Sequence, residues 1–584
     1  MEKTAIQKGV TFYYFIHHYI VDMNIEPGVE SVIIPDDLYL GALTATKGAF
    51  KKTFPDVKEL VIGDGVHSIF IPNTLFPNVK KVISKSMYFR SGKYLVRCIN
   101  PYCFSLLNVF CQEDEIDLKG ISIFEEGAFA GCKSISLKNT SDVTFFDTKA
   151  FIGSAFMEQP FLNGVKMAGN LVIAVDDTAE EVVIPDYEEP CVFAKEIDLS
   201  KIQKLVIHNK RTILKANSIP KCLVYDSEKI TKLELEELIH LGQDSDYLQR
   251  LELTERVEEF KEVDGVIYDK AMREVIACSL GNEIVKIPEG VKSIGKNAFS
   301  NCWKLKAVKF PNSLMLMDAQ AFCYCKKLEQ IDFGKGLSEI GPLAFSYCSQ
   351  LKKVTLPPQM RYIRKTAFHY AGLESIELNN GLLSIEESAF LNTHIKSIRI
   401  PGSVRKLGFL ALGLSIESIR FEKYLSNCLS AFTYASSPEL SKDKIIKLEC
   451  YGKTAYIPKY IKPGVHKELE ERLSRYLNRP SEKLCELWKF AYSKIGKENT
   501  AIIEYEVFSG PEAKAYIKKN ARRIATRLME EGDEEKTVSF LKLGLVPKTV
   551  LKTLVPKASE LGQMTVEAYL LELSQGKSKQ NFSL

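Results

Sequence analysis

Cys132, Cys302, Cys325 and Cys348 each stand three residues after a phenylalanine, and the last three are spaced 23 residues apart. Thiols at a fixed interval could cross-link or hold a metal ion. If the interval reflects stacked repeats, the three form a column whose Cβ vectors run parallel, which opposes disulfide geometry. Small buried thiols packing a turn are then the simpler reading, and a metal site the sharper one. Cys323, in Cys323-Tyr-Cys325, stands beside the column. Fourteen cysteines in 584 residues fall short of disulfide-scaffold density. Unpaired thiols fit a reducing compartment.

Other chemistry fails on inspection. Gly290–Lys296, GVKSIGK, matches most of a phosphate-binding loop, but Asn297 stands where a serine or threonine should bind magnesium. One repeat further on, Asp318 replaces Gly295, so that glycine reads as a turn residue. Among eight histidines only His17 and His18 are close together, and no H-E-x-x-H or G-x-S-x-G motif occurs. The prominent acidic residues sit in ladders or on helix faces. The chain is read as noncatalytic, with no cofactor and no metal ligand.

The elements that position these residues repeat. Ala-Phe pairs end at Phe299, Phe322, Phe345, Phe368 and Phe390, in steps of 23, 23, 23 and 22 residues; Ala411-Leu412 and Ala431-Phe432 continue the series. Each repeat also carries L-x-x-I-x-L, as in Leu305/Val308/Phe310, Leu328/Ile331/Phe333 and Leu351/Val354/Leu356. Proline follows at Pro311, Pro357 and Pro401, where a strand can stop without losing a needed N–H. A shorter apolar pair precedes each Ala-Phe, as at Val291/Ile294 and Leu337/Ile340. One repeat thus supplies two short strands and a Phe-bearing turn. It cannot bury its apolar edge alone, so neighbours must stack on it.

Repeats such as IPEGVKSIGKNAFSNCWKLKAVKFP resemble the BspA-type leucine-rich repeat of bacterial surface antigens, over Ile287–Phe421. The resemblance implies a right-handed solenoid used for protein binding or adhesion, and it brings no catalytic residues. Upstream the pattern is degenerate: FPDVKELVI and FPNVKKVIS lie 22 residues apart, as do Phe129 and Phe151. NGVKMAGNLVIA from Asn163 and DGVIYDKAMREVIA from Asp264 read as hairpins, each opening a block of repeats. Thr231–Gly242 reads as an inserted helix. After Tyr460 the texture is helical: one helix over Val465–Leu477, one capped by Ser481 and running to Ile495, and one from Pro511 to Glu531. The text from Asp533 is similar to ankyrin-like helical pairs.

The fold class expected is α+β, a leucine-rich-repeat solenoid followed by a helical domain. The divisions expected are 1–247 (degenerate repeats, with a helix near 231–242), 248–458 (regular repeats) and 459–584 (helical).

An apolar content of 45% and a charged content of 26% are those of a soluble globular chain. They exclude a disordered, collagen-like or polytopic membrane protein. The net charge of +4 is too small to make nucleic-acid binding the default. Thr11–Val21 superficially resembles a signal peptide, but its histidines and lack of a cleavage site make it a buried first strand or helix.

Two charged rows emerge from the repeat. Lys306, Glu329, Lys352, Glu374, Lys396 and Glu417 alternate in sign, which reads as a register-setting ladder. Lys309, Asp332, Thr355, Glu377, Arg399 and Arg420 alternate less well, and face outward on a presumed concave face. This second row is the candidate partner surface, an ordinary solvated face being the alternative. Residues 462–584 hold 22 basic and 17 acidic residues, with the excess on Lys514, Lys518, Lys519, Arg522, Arg523 and Arg527. Lys518 and Arg522 are the candidates there for an acidic partner.

The function expected is a noncatalytic protein-interaction scaffold. The alternatives are a cell-surface adhesin, or acidic-partner or nucleic-acid binding through the tail. The partner expected is a protein of unknown identity, for a monomer with no membrane span. The compartment expected is cytoplasmic, with export lacking a recognisable signal as the alternative.

Overall fold

A computed structural model describes residues 3–14, 20–36, 52–69, 71–214, 216–243, 246–435, 444–479 and 486–575. His17, His18 and Ser481 lie outside the described residues. The chain forms two compact bodies, Met1–Lys270 and Ala271–Leu584.

In the C-terminal body the first short strand of each repeat pairs in parallel with that of the next, and the second short strands pair in parallel in separate groups. The first set runs Ser293–Ile294, Leu316–Met317, Glu339–Ile340, Tyr362–Ile363, Ser384–Ile385 and Lys406–Leu407. The second set includes Ala307–Lys309 with Gln330–Asp332, Lys353–Thr355 with Ser375–Glu377, and Ser397–Ile400 with Ser418–Phe421. Ile445–Cys450 extends this last pair, and the antiparallel strand Lys453–Pro458 closes it.

Phe299, Phe322, Phe345, Phe368 and Phe390 are fully buried and form one column, with successive ring centroids 4.5, 5.3, 5.2 and 5.5 Å apart. That spacing is near the 4.7–4.9 Å interval between paired strands, so backbone and aromatic ladders share one pitch. Burying each ring contributes about 2–3 kcal/mol. The phenylalanine N–H of each repeat donates to the alanine carbonyl of the next, as from Phe322 to Ala344 and from Phe345 to Ala367, both at 2.7 Å.

Two residues before and two after each anchor the backbone turns left-handed: Gln320 and Tyr324 have φ of 58° and 62°, Leu343 and Tyr347 57° and 61°. These turns aim N–H groups along the stack. Gln320 donates to Pro342 at 2.8 Å and Tyr324 to Ser346 at 2.9 Å, which satisfies groups that would otherwise be buried unpaired.

The N-terminal body opens with Lys3–Gln7, Val10–Tyr14 and Ile20–Ile25, paired antiparallel. Phe12 is fully buried, so the apolar run from Thr11 begins as a buried strand. Glu59–Ile62 and Lys81–Ser84, the two 22-residue relatives, pair in register. Phe129 and Phe151 stack at 4.4 Å. Val165–Ala168 and Leu171–Val175 form the first expected hairpin. Of the second, the strand Val266–Asp269 belongs to this body and Glu274–Cys278 to the C-terminal one. Asn163 and Asp264, at matching places, have φ of 52° and 53°. The helix Lys232–Ile239 starts in a capping box made by Thr231 and Glu234.

The tail carries the helices His466–Asn478, Lys494–Phe508, Pro511–Glu530, Glu534–Lys542, Lys548–Glu560 and Met564–Gln575. The helix expected to run to Ile495 is corrected. Leu487–Phe490 is a 3-10 turn, and the helix begins at Lys494, capped by Ser493 accepting from Gly496 N–H at 2.8 Å. Buried Glu504 holds the turn by accepting from the N–H groups of Glu486 and Leu487 at 2.6 and 3.0 Å.

Candidate functional site

The strands bring the candidate row into register. Lys309 stands opposite Asp332, Thr355 opposite Glu377, and Arg399 opposite Arg420. All six side chains are exposed, because the strand pleat turns Val308, Ile331, Val354, Ile376, Ile398 and Ile419 the other way. Their charges are matched from within. Lys309 Nζ lies 3.8 Å from Asp332, Thr355 donates to Glu377 at 3.3 Å, and Lys353 reaches Glu377 at 3.1 Å. Arg399 pairs with Glu422, and Arg420 with Glu449 at 2.9 Å. Bonds from Lys447 and Arg420 hold the Glu449 carboxyl below the usual carboxylate range. The pairs leave the arginine surfaces open to solvent.

The alternating row pairs at two steps: Lys352 lies 3.6 Å from Glu374 and Lys396 3.9 Å from Glu417. Lys306 turns instead to Glu283, one repeat earlier, at 2.8 Å. The ladder therefore begins at Glu283, which the strict L-x-x-I-x-L count left out. Exposed pairs of this kind contribute about 0–1 kcal/mol each.

The cysteine column is buried throughout. Cys325 Sγ approaches the Phe299 carbonyl at 3.0 Å and Cys348 Sγ the Phe322 carbonyl at 3.1 Å. Burial pushes both thiols well above their ordinary value, and contact with Cys278 together with burial does so for Cys302. A protonated, inaccessible thiol is a poor nucleophile. Thirteen cysteines among the described residues are free, and no group of three potential metal ligands occurs among them. Gly290–Lys296 holds the strand Ser293–Ile294, with Gly295 N–H donating to Val275 at 2.8 Å; the segment continues the solenoid and does not form a loop before a helix.

In the tail the basic face divides. Lys514, Lys518, Lys519 and Arg522 are exposed. Arg523 and Arg527, counted with them from sequence, instead hold Glu498, whose side chain is 2% exposed, each through an Nε–H donated at 2.8 Å. They are internal partners.

Two buried groups escaped the sequence reading. Lys459 is fully enclosed, its ammonium donating to the Leu414 carbonyl and, at 3.3 Å, to that of Ile416. Burial lowers its pKa to about 8. Glu470 joins the first tail helix to the last repeats. A third feature, the tyrosines Tyr324, Tyr347 and Tyr370, keeps the 23-residue interval openly.

A family model of BspA-type leucine-rich repeat regions matches residues 276–393 and 352–447, with six copies. The ankyrin-like reading of the last helices gains no support from that match, which ends before them. No curated protein matches the chain. Among solved structures, a leucine-rich cell surface protein from Faecalibacterium prausnitzii is 16% identical, covering 72% of this chain and 95% of its own, with a TM-score of 0.26. A leucine-rich repeat protein from Bacteroides ovatus is 14% identical over 77% of this chain and 98% of its own, at 0.25. One from Eubacterium ventriosum is 13% identical over 78% and 100%, at 0.25.

Proposed function

Starting from a chain whose residues 276–447 are BspA-type leucine-rich repeats, we propose a noncatalytic scaffold that binds a protein partner through its repeat surface. The observation that carries this reading is the row Lys309, Asp332, Thr355, Glu377, Arg399 and Arg420, exposed and aligned by strand register in three successive pairs. Such a row offers several side chains at one pitch to a single partner. The regular array at 248–458 presents the surface; the degenerate repeats at 1–247 and the helical residues 459–584 are the other two divisions of the chain. The protein acts as a monomer without a cofactor. The free thiols support a reducing, cytoplasmic setting.

Adhesion at a cell surface is the second reading, and the repeat type favours it. No helix among the described residues is long and apolar enough to cross a membrane, which leaves that reading open. Binding of an acidic partner through Lys518 and Arg522 is the third.

Photo-crosslinking residues placed singly at Lys309, Arg399 and Lys518, in the native host, separate the three. Capture of one protein from the first two positions, abolished by Arg399→Glu/Arg420→Glu, is the expected result. Capture only from position 518 moves the function to the tail, and crosslinks to intact cells from outside make it an adhesin.

A further inference from the structure

Tyr324, Tyr347 and Tyr370 each stand two residues after an anchor phenylalanine. Their rings stack with centroids 4.5 and 5.0 Å apart, within 6° and 11° of parallel. His369 meets Tyr347 and Tyr370 edge-on, at 6.1 and 4.5 Å. The position is left-handed throughout, because its N–H must reach the next repeat: Tyr347 donates to His369 at 2.9 Å and Tyr370 to Leu391 at 3.1 Å. At the two ends of the row the position is filled by Asn301 and Asn392, with φ of 60° and 59°. Asparagine takes that conformation at little cost, whereas a tyrosine is strained there. Core packing does not account for the choice, since Tyr324 is 40% exposed and Tyr370 47%. Three bulky residues in a strained position, two of them exposed and Tyr347 half-buried between them, call for a use.

Stacked rings cover each other's faces and present their edges and hydroxyls. A ring edge is the positive part of the aromatic quadrupole, and a hydroxyl can donate to a carboxylate. At the Tyr324 end of the row basic residues outnumber acidic ones, Lys304, Lys306, Lys326 and Lys327 against Glu283 and Glu329. Lys304, Lys306 and Lys327 all act on the single carboxylate of Glu283, with Lys306 bonded to it. Lys326, exposed, donates its N–H to the Tyr324 carbonyl.

Edge-on aromatics beside surplus base complement carboxylates. We propose that the Tyr324–Tyr347–Tyr370 row is a docking surface for an acidic, extended segment of a protein partner. The proposal rests on the scaffold reading but places the contact on a different row from Lys309–Arg420. Neutral sugars stack on open ring faces, and here the inner faces are covered by the neighbouring rings.

The test is fluorescence anisotropy of a fluorescein-labelled oligo-glutamate peptide titrated with the full chain, at low and at physiological salt. The variant replaces all three tyrosines with asparagine, the residue the flanking repeats already use, which removes the rings and relieves the backbone. It should melt no lower than the native chain and bind the peptide roughly tenfold or more weakly. A tyrosine-to-phenylalanine triple variant, keeping the ring edges, should lose less. The proposal is overturned if the native chain does not bind the peptide, or if the asparagine variant binds it equally. A marked drop in melting temperature in that variant also overturns it, since the stack would then be a structural staple. Heparin binding more tightly than the peptide, and lost in the same variant, reassigns the row to a sulfated glycan. Arg399→Glu/Arg420→Glu should leave peptide binding intact. If that variant loses the peptide and the asparagine variant does not, the row fails while the scaffold reading stands. If crosslinks at 309 and 399 capture nothing while the asparagine variant loses the peptide, the converse holds.

Discussion

Glu470, on the helix His466–Asn478, accepts the Tyr424 hydroxyl hydrogen at 3.0 Å in a fully buried contact. Its other oxygen takes the Leu429 N–H at 3.1 Å. Burial raises this carboxyl above the usual range, so the folded chain keeps the proton to higher pH than the unfolded chain does. The group's stabilising contribution is therefore complete below the ordinary carboxylate pKa and is lost as pH rises through the raised value. Glu470→Gln, which keeps an acceptor and loses the charge, should flatten that part of the pH–stability curve in urea titrations. Glu470→Leu should cost about 1–3 kcal/mol for each orphaned donor.

Lys459 has the opposite sign. A lysine whose pKa falls from 10.5 to about 8 on folding sheds its proton earlier in the folded state. Stability from this group is full above the unfolded value and is lost as pH falls through about 8. Native chain minus Lys459→Met, followed by chemical denaturation, should rise by roughly 3 kcal/mol between neutral pH and the unfolded lysine range. A flat difference would show that the amine is not enclosed.

Phe345 lies in mid-column with a ring on either side. Phe345→Ala should leave a cavity costing roughly 3–5 kcal/mol. A loss under about 1 kcal/mol on denaturation would remove it from the core.

Cys302, Cys325 and Cys348 should resist alkylation in the native, nonreduced protein and remain unpaired. Peptide mapping by mass spectrometry would reveal a disulfide between any two, contrary to the parallel Cβ geometry.

In the tail, Lys518→Glu/Arg522→Glu should leave the melting temperature nearly unchanged, because both side chains stand in solvent. Arg527→Ala should instead cost about 3 kcal/mol, since Glu498 would stay buried with one partner fewer. Thermal melts of the two variants side by side distinguish a solvated face from an internal one.

What the amino-acid text revealed follows the range of each interaction. Ala-Phe and L-x-x-I-x-L are visible because stacking forces one residue type to recur at one interval, and the parallel strands follow from it. Pro511 marked its helix because a missing N–H suits a first turn. The helix expected to run through Ile495 gives way to a turn because Ser493 offers its own capping chemistry and Glu504, 17 and 18 residues beyond that turn, holds it. Arg523 and Arg527 looked like surface charge since their partner Glu498 lies 25 and 29 residues away. The tyrosine row was spelled out at a constant interval. Its significance needed the sign of φ, which no periodicity carries.

The bonds that join one repeat to the next, Phe322 to Ala344 or Tyr347 to His369, point along the direction in which repeats stack. A force applied between the first and last repeats pulls along those bonds, and every row carries the same load. Each repeat holds chiefly to its two neighbours, so rupture at one end leaves the remaining rows intact. Stretched, the regular array should give way repeat by repeat, each step releasing roughly 75 Å of chain. That yielding would let the protein lengthen under load while most of its surface remains folded.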